Sequence, residues 1–205
     1  MNSAGGPLPR PGRRTFLGLG LGVAGLALTG CGSRDDLAEQ AKAGDDKNYI
    51  AGDGSVNEYP PASRGSRVAL EGQLFTGEKV SAQDWAGKVV VLNFWYAACA
   101  PCRVEAPDLA ALHTEFKDKG VLFYGVNVRD DAATAEAFER TFNVDYPSFD
   151  DSNGGVLLAM TEYVPPRAVP TTLVLDTEGR VSARILGVSQ KGTLKALITS
   201  ALAGS

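Results

Sequence analysis

Residues 88–107 read KVVVLNFWYAACAPCRVEAP, and the rest of the chain is organised around them. The unbroken apolar run from Val89 to Leu92 is rich in β-branched residues, and Phe94 and Trp95 close it. Such a run predicts a strand that is buried on both faces. We therefore expect this strand to lie in the middle of a parallel or mixed sheet.

Cys99 and Cys102 follow the strand at the point where a helix is expected to begin, with Ala100 and Pro101 between them. A helix N-terminus offers unpaired N–H groups and the positive end of the helix dipole, which stabilise a thiolate on the first cysteine. The second cysteine lies one turn deeper, close enough to form a disulfide bond with the first. Proline is tolerated in a first helical turn, because its missing N–H group would be unpaired there anyway. The motif therefore predicts a redox-active pair.

A structural zinc site and an inert structural disulfide are the alternatives. Structural zinc needs four ligands, and beyond this pair the chain offers one cysteine, Cys31, and one histidine, His113. Structural disulfides usually tie distant segments together rather than two residues one turn apart. The residues therefore favour redox chemistry, with no metal ion and no organic cofactor.

The first 30 residues have the pattern of a bacterial export signal. Arg13 and Arg14 form a twin-arginine pattern, and an uncharged, glycine-rich run from Phe16 to Gly30 follows. That run is shorter than the roughly 20 residues of a membrane-spanning helix. It leads into Leu-Thr-Gly-Cys at residues 28–31, which resembles a bacterial lipobox. This resemblance implies cleavage before Cys31, lipid attachment to that cysteine and a mature N-terminus tethered to the membrane.

A plain cleaved signal and an uncleaved anchor are the alternatives to lipidation. Gly12 and Gly18 stand where the twin-arginine pattern usually has Ser or Thr and Lys, so the general secretion route stays open. If Cys31 is lipidated, the remaining cysteines are Cys99 and Cys102. The fold must then be stabilised by its core, because no disulfide framework is left to build.

The charge of the chain argues against nucleic acid as a partner. The 205 residues carry a net charge of −4 at pH 7. The first 30 residues hold three arginines and no acid, which leaves 17 basic against 24 acidic residues from Cys31 onward, a net charge of −7. A nucleic-acid-binding domain is expected to be basic instead.

The composition divides the chain into a signal peptide at residues 1–30, a flexible tether at 31–66 and a globular domain at 67–205. The tether is rich in Gly, Ser and Asp and lacks sustained periodicity. We expect at most a short helix in it, near Asp36 to Ala43. Its predicted role is to hold the domain away from the membrane surface.

The globular domain shows alternating strand and helix patterns. A hairpin entry is expected near residues 68–80, with Glu71 and Gly72 between apolar segments, and Ser81 is expected to cap a turn of helix at 82–85. The further predicted elements are a helix at 103–119 kinked at Pro107 and ended by Gly120, a strand at 121–128, a helix at 132–142, an extended piece at 146–149, a helix at 153–163, strands at 172–175 and 180–186 joined by a turn at 176–179, and a helix at 190–202 capped by Ser189. Together these elements predict an α/β fold with a central mixed β-sheet flanked by helices.

Two motifs in this framework carry a resemblance to a known family. Asn93-Phe94-Trp95 followed by Cys99-Ala100-Pro101-Cys102 is highly specific, and Val169-Pro170-Thr171 stands directly before a predicted strand. With the common hairpin turn at 176–180, they make residues 68–202 resemble the TlpA/ResA-like group of thioredoxin-fold proteins. The resemblance implies a thioredoxin-like fold with an N-terminal β-hairpin extension and a helical insert. It also implies a thiol–disulfide oxidoreductase that is tethered to the outer face of the cell membrane.

Carried over to this chain, the resemblance makes Cys99 the attacking thiolate, Cys102 the resolving thiol and Pro170 the cis-proline of a loop against the pair. Glu105 matches an acidic position that ResA-like reductases use near the pair. A carboxylate there could exchange a proton with a neighbouring thiol and would raise the pKa values of the thiols. It could equally be a solvated acid of the first helical turns, stabilised by the dipole. The family usually has Trp directly before the first cysteine, where this chain has Ala98.

The resemblance favours a reductase of protein disulfides that receives electrons from a membrane thiol-transfer protein. The first candidate client is the Cys-x-x-Cys-His motif of apocytochrome c. An oxidant that installs disulfides in exported proteins is the main alternative, because the motif does not set the direction of electron flow. A thiol peroxidase normally has Thr two or three residues before a lone cysteine, and residues 96–98 here are Tyr-Ala-Ala. A copper-binding assembly module would use C-x-x-x-C with a distal histidine, whereas His113 lies in the helix after the pair and is expected at the surface or its boundary.

Overall fold

The structure of the protein is a computed structural model that describes residues 52–204. The predicted signal, the lipidation site Cys31 and the short helix predicted near residues 36–43 lie outside the described residues, as does most of the predicted tether. In the described part, no helix combines the length and the apolar character needed to cross a membrane.

Eight strands and four α-helices make up this region. In chain order they are β1 (Val56–Glu58), β2 (Glu71–Gln73), β3 (Lys79–Ser81), β4 (Val89–Trp95), α1 (Ala100–Phe116), β5 (Val121–Asn127), α2 (Ala132–Phe142), β6 (Ser148–Asp150), α3 (Gly155–Ala159), β7 (Thr171–Leu175), β8 (Val181–Leu186) and α4 (Lys191–Ala203). Short 3₁₀ helices lie at Pro61–Ser63, Ala82–Trp85 and Lys117–Lys119.

Six of the strands form one mixed sheet in the order β1-β8-β7-β4-β5-β6, and β2 and β3 form a separate hairpin. Strand β4 runs parallel to β5 and antiparallel to β7, and β5 runs parallel to β6. Strands β7 and β8 form the predicted antiparallel hairpin. The α/β fold with a central mixed sheet is therefore confirmed.

Strand β4 separates two hydrophobic cores, and every residue in it is buried. Because side chains alternate between the faces of a strand, Val90, Leu92 and Phe94 enter one core, while Val89 and Val91 enter the other. The second core also holds the apolar faces of α1 and α4. The predicted strand buried on both faces is confirmed, and the redox motif directly after it is anchored in the middle of the sheet.

Several predicted boundaries hold because their signals are local. Ser81 caps the 3₁₀ helix, with its hydroxyl accepting a hydrogen bond from the amide of Gln83 while Asp84 bonds back to the Ser81 amide. Gly120 has a φ of 80°, a left-handed conformation that suits glycine, and the helical segment stops there. Helix α1 begins at Ala100, within the cysteine motif where its start is predicted, and it keeps Pro107 inside it. The kink at Pro107 stays a prediction.

Two predictions on local structure are wrong. Residues 56–63 are not part of an unstructured tether, because β1 pairs antiparallel with β8 and a 3₁₀ turn follows it. The hairpin predicted near residues 68–80 is, by contrast, confirmed: Glu71 and Gly72 lie in strand β2, and the chain turns after Leu74, where Gly77 has a φ of 88°. The helix predicted at 153–163 is confined to residues 155–159, followed by turns. A three-residue edge strand and a five-residue helix are too short to show a clear hydrophobic period.

Gly125 in β5 gives a test of how tightly the sheet packs next to the redox motif. A Cβ atom at this position would overlap Ser148 Oγ and lie 2.6 Å from Trp95 Nε1. We expect Gly125→Ala to lower the free energy of unfolding by about 1–3 kcal/mol, the usual cost of overpacking, measured by urea denaturation. Gly192→Ala in α4 is the matched control, because nothing lies within 4 Å of its Cβ position. Equal stability of the two variants would contradict this packing.

Candidate functional site

Cys99 and Cys102 form a disulfide bond at the N-terminus of α1. Cys99 is the N-cap residue, and its sulfur accepts a hydrogen bond from the Cys102 amide at 3.2 Å. Pro101 lies in the first turn, as predicted. The predicted geometry, a cysteine pair between a buried strand and a helix N-terminus, is confirmed. The same N–H group would stabilise a thiolate on Cys99 after reduction.

The pair is enclosed in a third hydrophobic cluster, where Cys99 is 0% and Cys102 2% exposed. The other buried members of this cluster are Trp95, Tyr96, Ala106, Ala135, Phe138 and Val169. Val169 precedes Pro170, and the peptide bond between them is cis, as the family resemblance implies. The chain segment predicted to lie against the redox pair therefore shares a buried cluster with it.

Glu105 lies one turn along α1 from Cys102, and it is only 1% exposed. The hypothesis of a solvated helix acid is therefore wrong. One carboxylate oxygen, Oε1, accepts a hydrogen bond from Asn93 Nδ2 at 2.6 Å. The other, Oε2, accepts from the Ser189 amide at 2.7 Å and from the Ser189 hydroxyl at 3.1 Å. Hydrogen bonds thus tie this carboxyl group to β4 and to the segment before α4.

Burial raises the pKa of Glu105 to about 7, although the hydrogen bonds from Ser189 and Asn93 act in the opposite direction. Desolvation disfavours the charged carboxylate more than these three hydrogen bonds favour it. A carboxyl group with a pKa near neutrality can both accept and release a proton under ordinary conditions. This carboxyl group, one turn along α1 from Cys102, therefore has a pKa suited to a general acid or base.

The partners of Glu105 were only partly visible in the sequence. Asn93 was part of the recognised motif, and its side-chain amide also donates to Thr172 Oγ1 at 3.1 Å. Ser189 was predicted to cap the last helix, and this prediction is wrong. Gln190 is the N-cap residue of α4, while Ser189 is buried and directed at Glu105. Serine before a helix is a typical capping signal, and the chain gives no local sign of a partner 84 residues away.

The loop between β4 and Cys99 is held by residues that the sequence did not single out. The Ala97 amide donates to Asp130 Oδ2 at 2.6 Å, and the Ala97 carbonyl accepts from Arg103 Nη1 at 3.2 Å. The guanidinium carbon of Arg129 lies 4.1 Å from the centre of the Tyr96 ring. Ala98, where the family usually has Trp, is exposed.

His113 lies far from the cysteine pair along α1. It lies eleven positions after Cys102, which corresponds to about 16 Å of helix. Its Nδ1 lies 2.7 Å from Asp145 Oδ1, and its ring packs against Phe123 and Tyr146. His113 is thus the boundary residue that the sequence predicted, and it cannot share one copper ion with the pair. Across residues 52–204, no group of three or more His, Cys, Asp or Glu side chains is placed to hold a metal ion.

Several known proteins that resemble this chain in sequence or structure are thiol–disulfide oxidoreductases or isomerases. The thiol-disulfide oxidoreductase ResA of Bacillus subtilis is 34% identical over 111 residues, which are 54% of this chain and 60% of that protein. A crystal structure of a DsbF homologue from Corynebacterium diphtheriae is 32% identical, with a TM-score of 0.62, over 73% of this chain and 94% of that one. A secreted thiol-disulfide isomerase from Corynebacterium glutamicum is 29% identical, with a TM-score of 0.65, over 74% and 94% of the two chains.

The matched regions have limits that bear on function. The chain spans 60–66% of the length of the ResA proteins that it matches. Residues 67–184 match the AhpC/TSA family, which covers the hairpin, the cysteine pair and the cis-proline segment. These residues are more than half of the chain. The chain therefore belongs to the AhpC/TSA family and has the fold of its thioredoxin-like thiol–disulfide oxidoreductase relatives.

Proposed function

We propose that this chain is a thiol–disulfide oxidoreductase that reduces disulfide bonds of proteins outside the cell membrane. The observation that carries the proposal is the Cys99–Cys102 disulfide at the N-terminus of α1, where the Cys102 amide donates to Cys99 Sγ. An N-terminal position of this kind favours the thiolate that exchange requires. The ResA relatives, which are thiol-disulfide oxidoreductases, support the same chemistry.

The reaction has two halves. The Cys99 thiolate attacks one sulfur of the client disulfide, which forms a mixed disulfide and releases the other client sulfur as a thiolate. Cys102, as a thiolate, then attacks Cys99 Sγ. The mixed disulfide breaks, the second client thiol leaves, and the Cys99–Cys102 bond forms again. A reduced dithiol donor returns two electrons and two protons to the pair, for which we propose a membrane thiol-transfer protein.

Glu105 has a natural place in the second half of the reaction. Cys102 must lose a proton before it can attack, and Glu105 lies one turn further along the same helix. Because burial raises the pKa of this carboxyl group to about 7, its ionised form can accept that proton at neutral pH. We assign Pro170 to the loop beside the pair, where the segment that includes Val169 would meet the client chain.

The proposed client is a protein with two closely spaced cysteines, such as the Cys-x-x-Cys-His segment of apocytochrome c before haem attachment. The N-terminal pattern supports a location at the outer face of the membrane, with attachment through a lipid on Cys31. Partners of the protein would then be exported polypeptides with thiols or disulfides.

The equilibrium reduction potential of the Cys99–Cys102 pair tests the direction of electron flow. The full chain in detergent is equilibrated with dithiothreitol or glutathione buffers, and the fraction of oxidised pair is measured by mass spectrometry after alkylation. We expect a potential near that of thioredoxin, about −270 mV, or lower. A value near about −120 mV, as in a strong oxidant, would contradict the reductase and indicate that the protein installs disulfides.

A thiol peroxidase is the alternative function to be tested. Exchange is favoured because Cys99 is paired with a resolving cysteine three residues away, and residues 96–98 contain no threonine. We expect the reduced protein to react with an oxidised Cys-x-x-Cys-His peptide much faster than with hydrogen peroxide at equal concentration. The opposite order of rates would favour the peroxidase.

A further inference from the structure

Both cysteines of the redox pair are buried, and Cys102 is only 2% exposed. Cys99 is 0% exposed, whereas Ala98 and Ala100 on either side of it are exposed. Exchange requires an incoming thiolate to contact one sulfur atom of the disulfide. A segment next to the pair must therefore move before the disulfide can react.

The loop that leads into Cys99, residues 96–98, is fastened to the rest of the protein at several points. The Ala97 amide donates to Asp130 at 2.6 Å, and the Ala97 carbonyl accepts from Arg103 at 3.2 Å. The Tyr96 ring is buried and lies under the Arg129 guanidinium, and the Tyr96 carbonyl accepts from the Cys99 amide at 3.1 Å. Movement of this loop would therefore move Cys99 itself.

Among the residues that hold this loop, Asp130 is connected to the central sheet. Its Oδ2 atom also accepts a hydrogen bond from Asn127 Nδ2 at 2.9 Å. The Asn127 side-chain oxygen in turn accepts from the amides of Arg129 and Asp130, at 3.0 and 2.8 Å. Asn127 is the last residue of β5 and is completely buried. The end of the central sheet is thus connected to the loop before Cys99 through one carboxylate.

From this geometry we infer that Asp130 is a positioning residue that holds the loop of residues 96–98 closed and thereby limits access to the Cys99–Cys102 disulfide. Its hydrogen bond to the Ala97 amide is short and charge-assisted, which is the stronger class of hydrogen bond. Arg103 and Arg129 hold the same loop from other sides. Together these contacts fix the loop directly before Cys99.

The rate of reduction by dithiothreitol tests the inference. Dithiothreitol gives two electrons and two protons to the pair as it closes its own disulfide, so the S–S bond becomes two thiols. We expect Asp130→Ala to raise the second-order rate constant about tenfold. This factor corresponds to about 1.4 kcal/mol, the order of one hydrogen bond to a charged group. Asp130→Asn is expected to restore the slow rate, because its side-chain oxygen can still accept from Ala97.

Asp131→Asn is the matched control for the loss of a negative charge. Asp131 neighbours Asp130, but its carboxylate caps α2 through the Thr134 amide at 2.8 Å, and asparagine can keep that cap. We expect its rate to stay within about twofold of the wild type, because exposed charges are screened at physiological salt. Reduction of Asp130→Ala at the wild-type rate, or equal acceleration in Asp131→Asn, would overturn the inference.

Thermal unfolding of each variant shows whether it is folded. If Asp130→Ala does not fold, the inference can still be tested by a measurement on the unaltered protein. Hydrogen exchange of the Ala97 amide in the oxidised protein should be at least about tenfold slower than in a free peptide. Exchange at the free-peptide rate would show that Asp130 does not hold this amide. The inference rests on the proposed function and deepens it. Dithiothreitol is not a client, so the rates of reduction by dithiothreitol would stay the same if the proposed client or the proposed direction of electron flow were wrong.

Discussion

Replacement of Cys102 by serine is expected to stop exchange after its first half and to leave Cys99 joined covalently to the client. The serine hydroxyl cannot displace the client sulfur from the mixed disulfide, because efficient attack on a disulfide requires a thiolate. Turnover should fall by roughly 10³-fold or more, as happens when one member of a catalytic unit is removed. The reduced variant is mixed with an oxidised Cys-x-x-Cys-His peptide. Mass spectrometry should then show a covalent adduct of one protein molecule with one peptide.

The matched control is Cys99→Ser, which also breaks the disulfide and leaves one thiol in the same helical turn. We expect neither turnover nor a stable adduct from it, because Cys102 is the deeper of the two residues and lacks the position of N-cap. An adduct on Cys102 in the Cys99→Ser variant would reverse the assigned roles. Sustained turnover by Cys102→Ser would remove the two-cysteine mechanism altogether.

Glu105→Gln is expected to abolish a large part of the pH dependence of stability between about pH 4.5 and 7. Burial raises the pKa of Glu105 from 4.5 to about 7 in the folded protein. In this window the folded state keeps a proton that the unfolded state releases, so rising pH favours unfolding. The stabilisation from this proton is complete below pH 4.5 and is lost by about pH 7. Over that range it amounts to about 3 kcal/mol.

Urea denaturation of the oxidised protein at pH 5, 6 and 8 measures this effect as the difference between variant and wild type. The difference is more informative than the wild-type curve alone, because burial also raises the pKa values of Glu139 and Asp151. We expect Glu105→Gln to gain stability relative to the wild type as the pH rises. A difference that stays constant across this range would contradict the raised pKa of Glu105.

Glu115→Gln provides a control from the same helix. A hydrogen bond from Lys195 lowers the pKa of Glu115, so its contribution is present above the unfolded pKa and is lost only as the pH falls through the lower, folded value. Between pH 5 and 8 the difference between this variant and the wild type should therefore stay nearly constant. A similar slope in both variants would point to a general effect of removing a carboxylate.

Much of the fold follows from patterns that lie within a few residues of each other. The apolar run of β4, the hydrophobic spacing of α1 and the turn between β7 and β8 each carry their own signal, and each forms where it was predicted. Strand β1 carried no such signal, because a three-residue edge strand exposes two of its side chains and is stabilised by pairing with β8. Its partners lie more than 100 residues away in the chain.

The candidate site divides in the same way. Cys99, Cys102 and Pro170 were identified from local motifs, and the structure shows the disulfide and the cis peptide bond that those motifs suggested. Glu105 was identified as a candidate, but its environment was not, because burial of a helix residue depends on which elements cover it. Ser189 was assigned to the wrong role for the same reason.

The sequence by itself determined the cysteine pair, its place between a buried strand and a helix N-terminus, and the order of the main elements. These features depend on residue type and short-range spacing, which the chain carries directly. Only the tertiary structure decided that Glu105 is buried against Asn93 and Ser189, and that Asp130 holds the loop before Cys99. Desolvation and long-range hydrogen bonds arise when distant segments pack together, so the protonation of Glu105 and the access to the disulfide are properties of the folded chain.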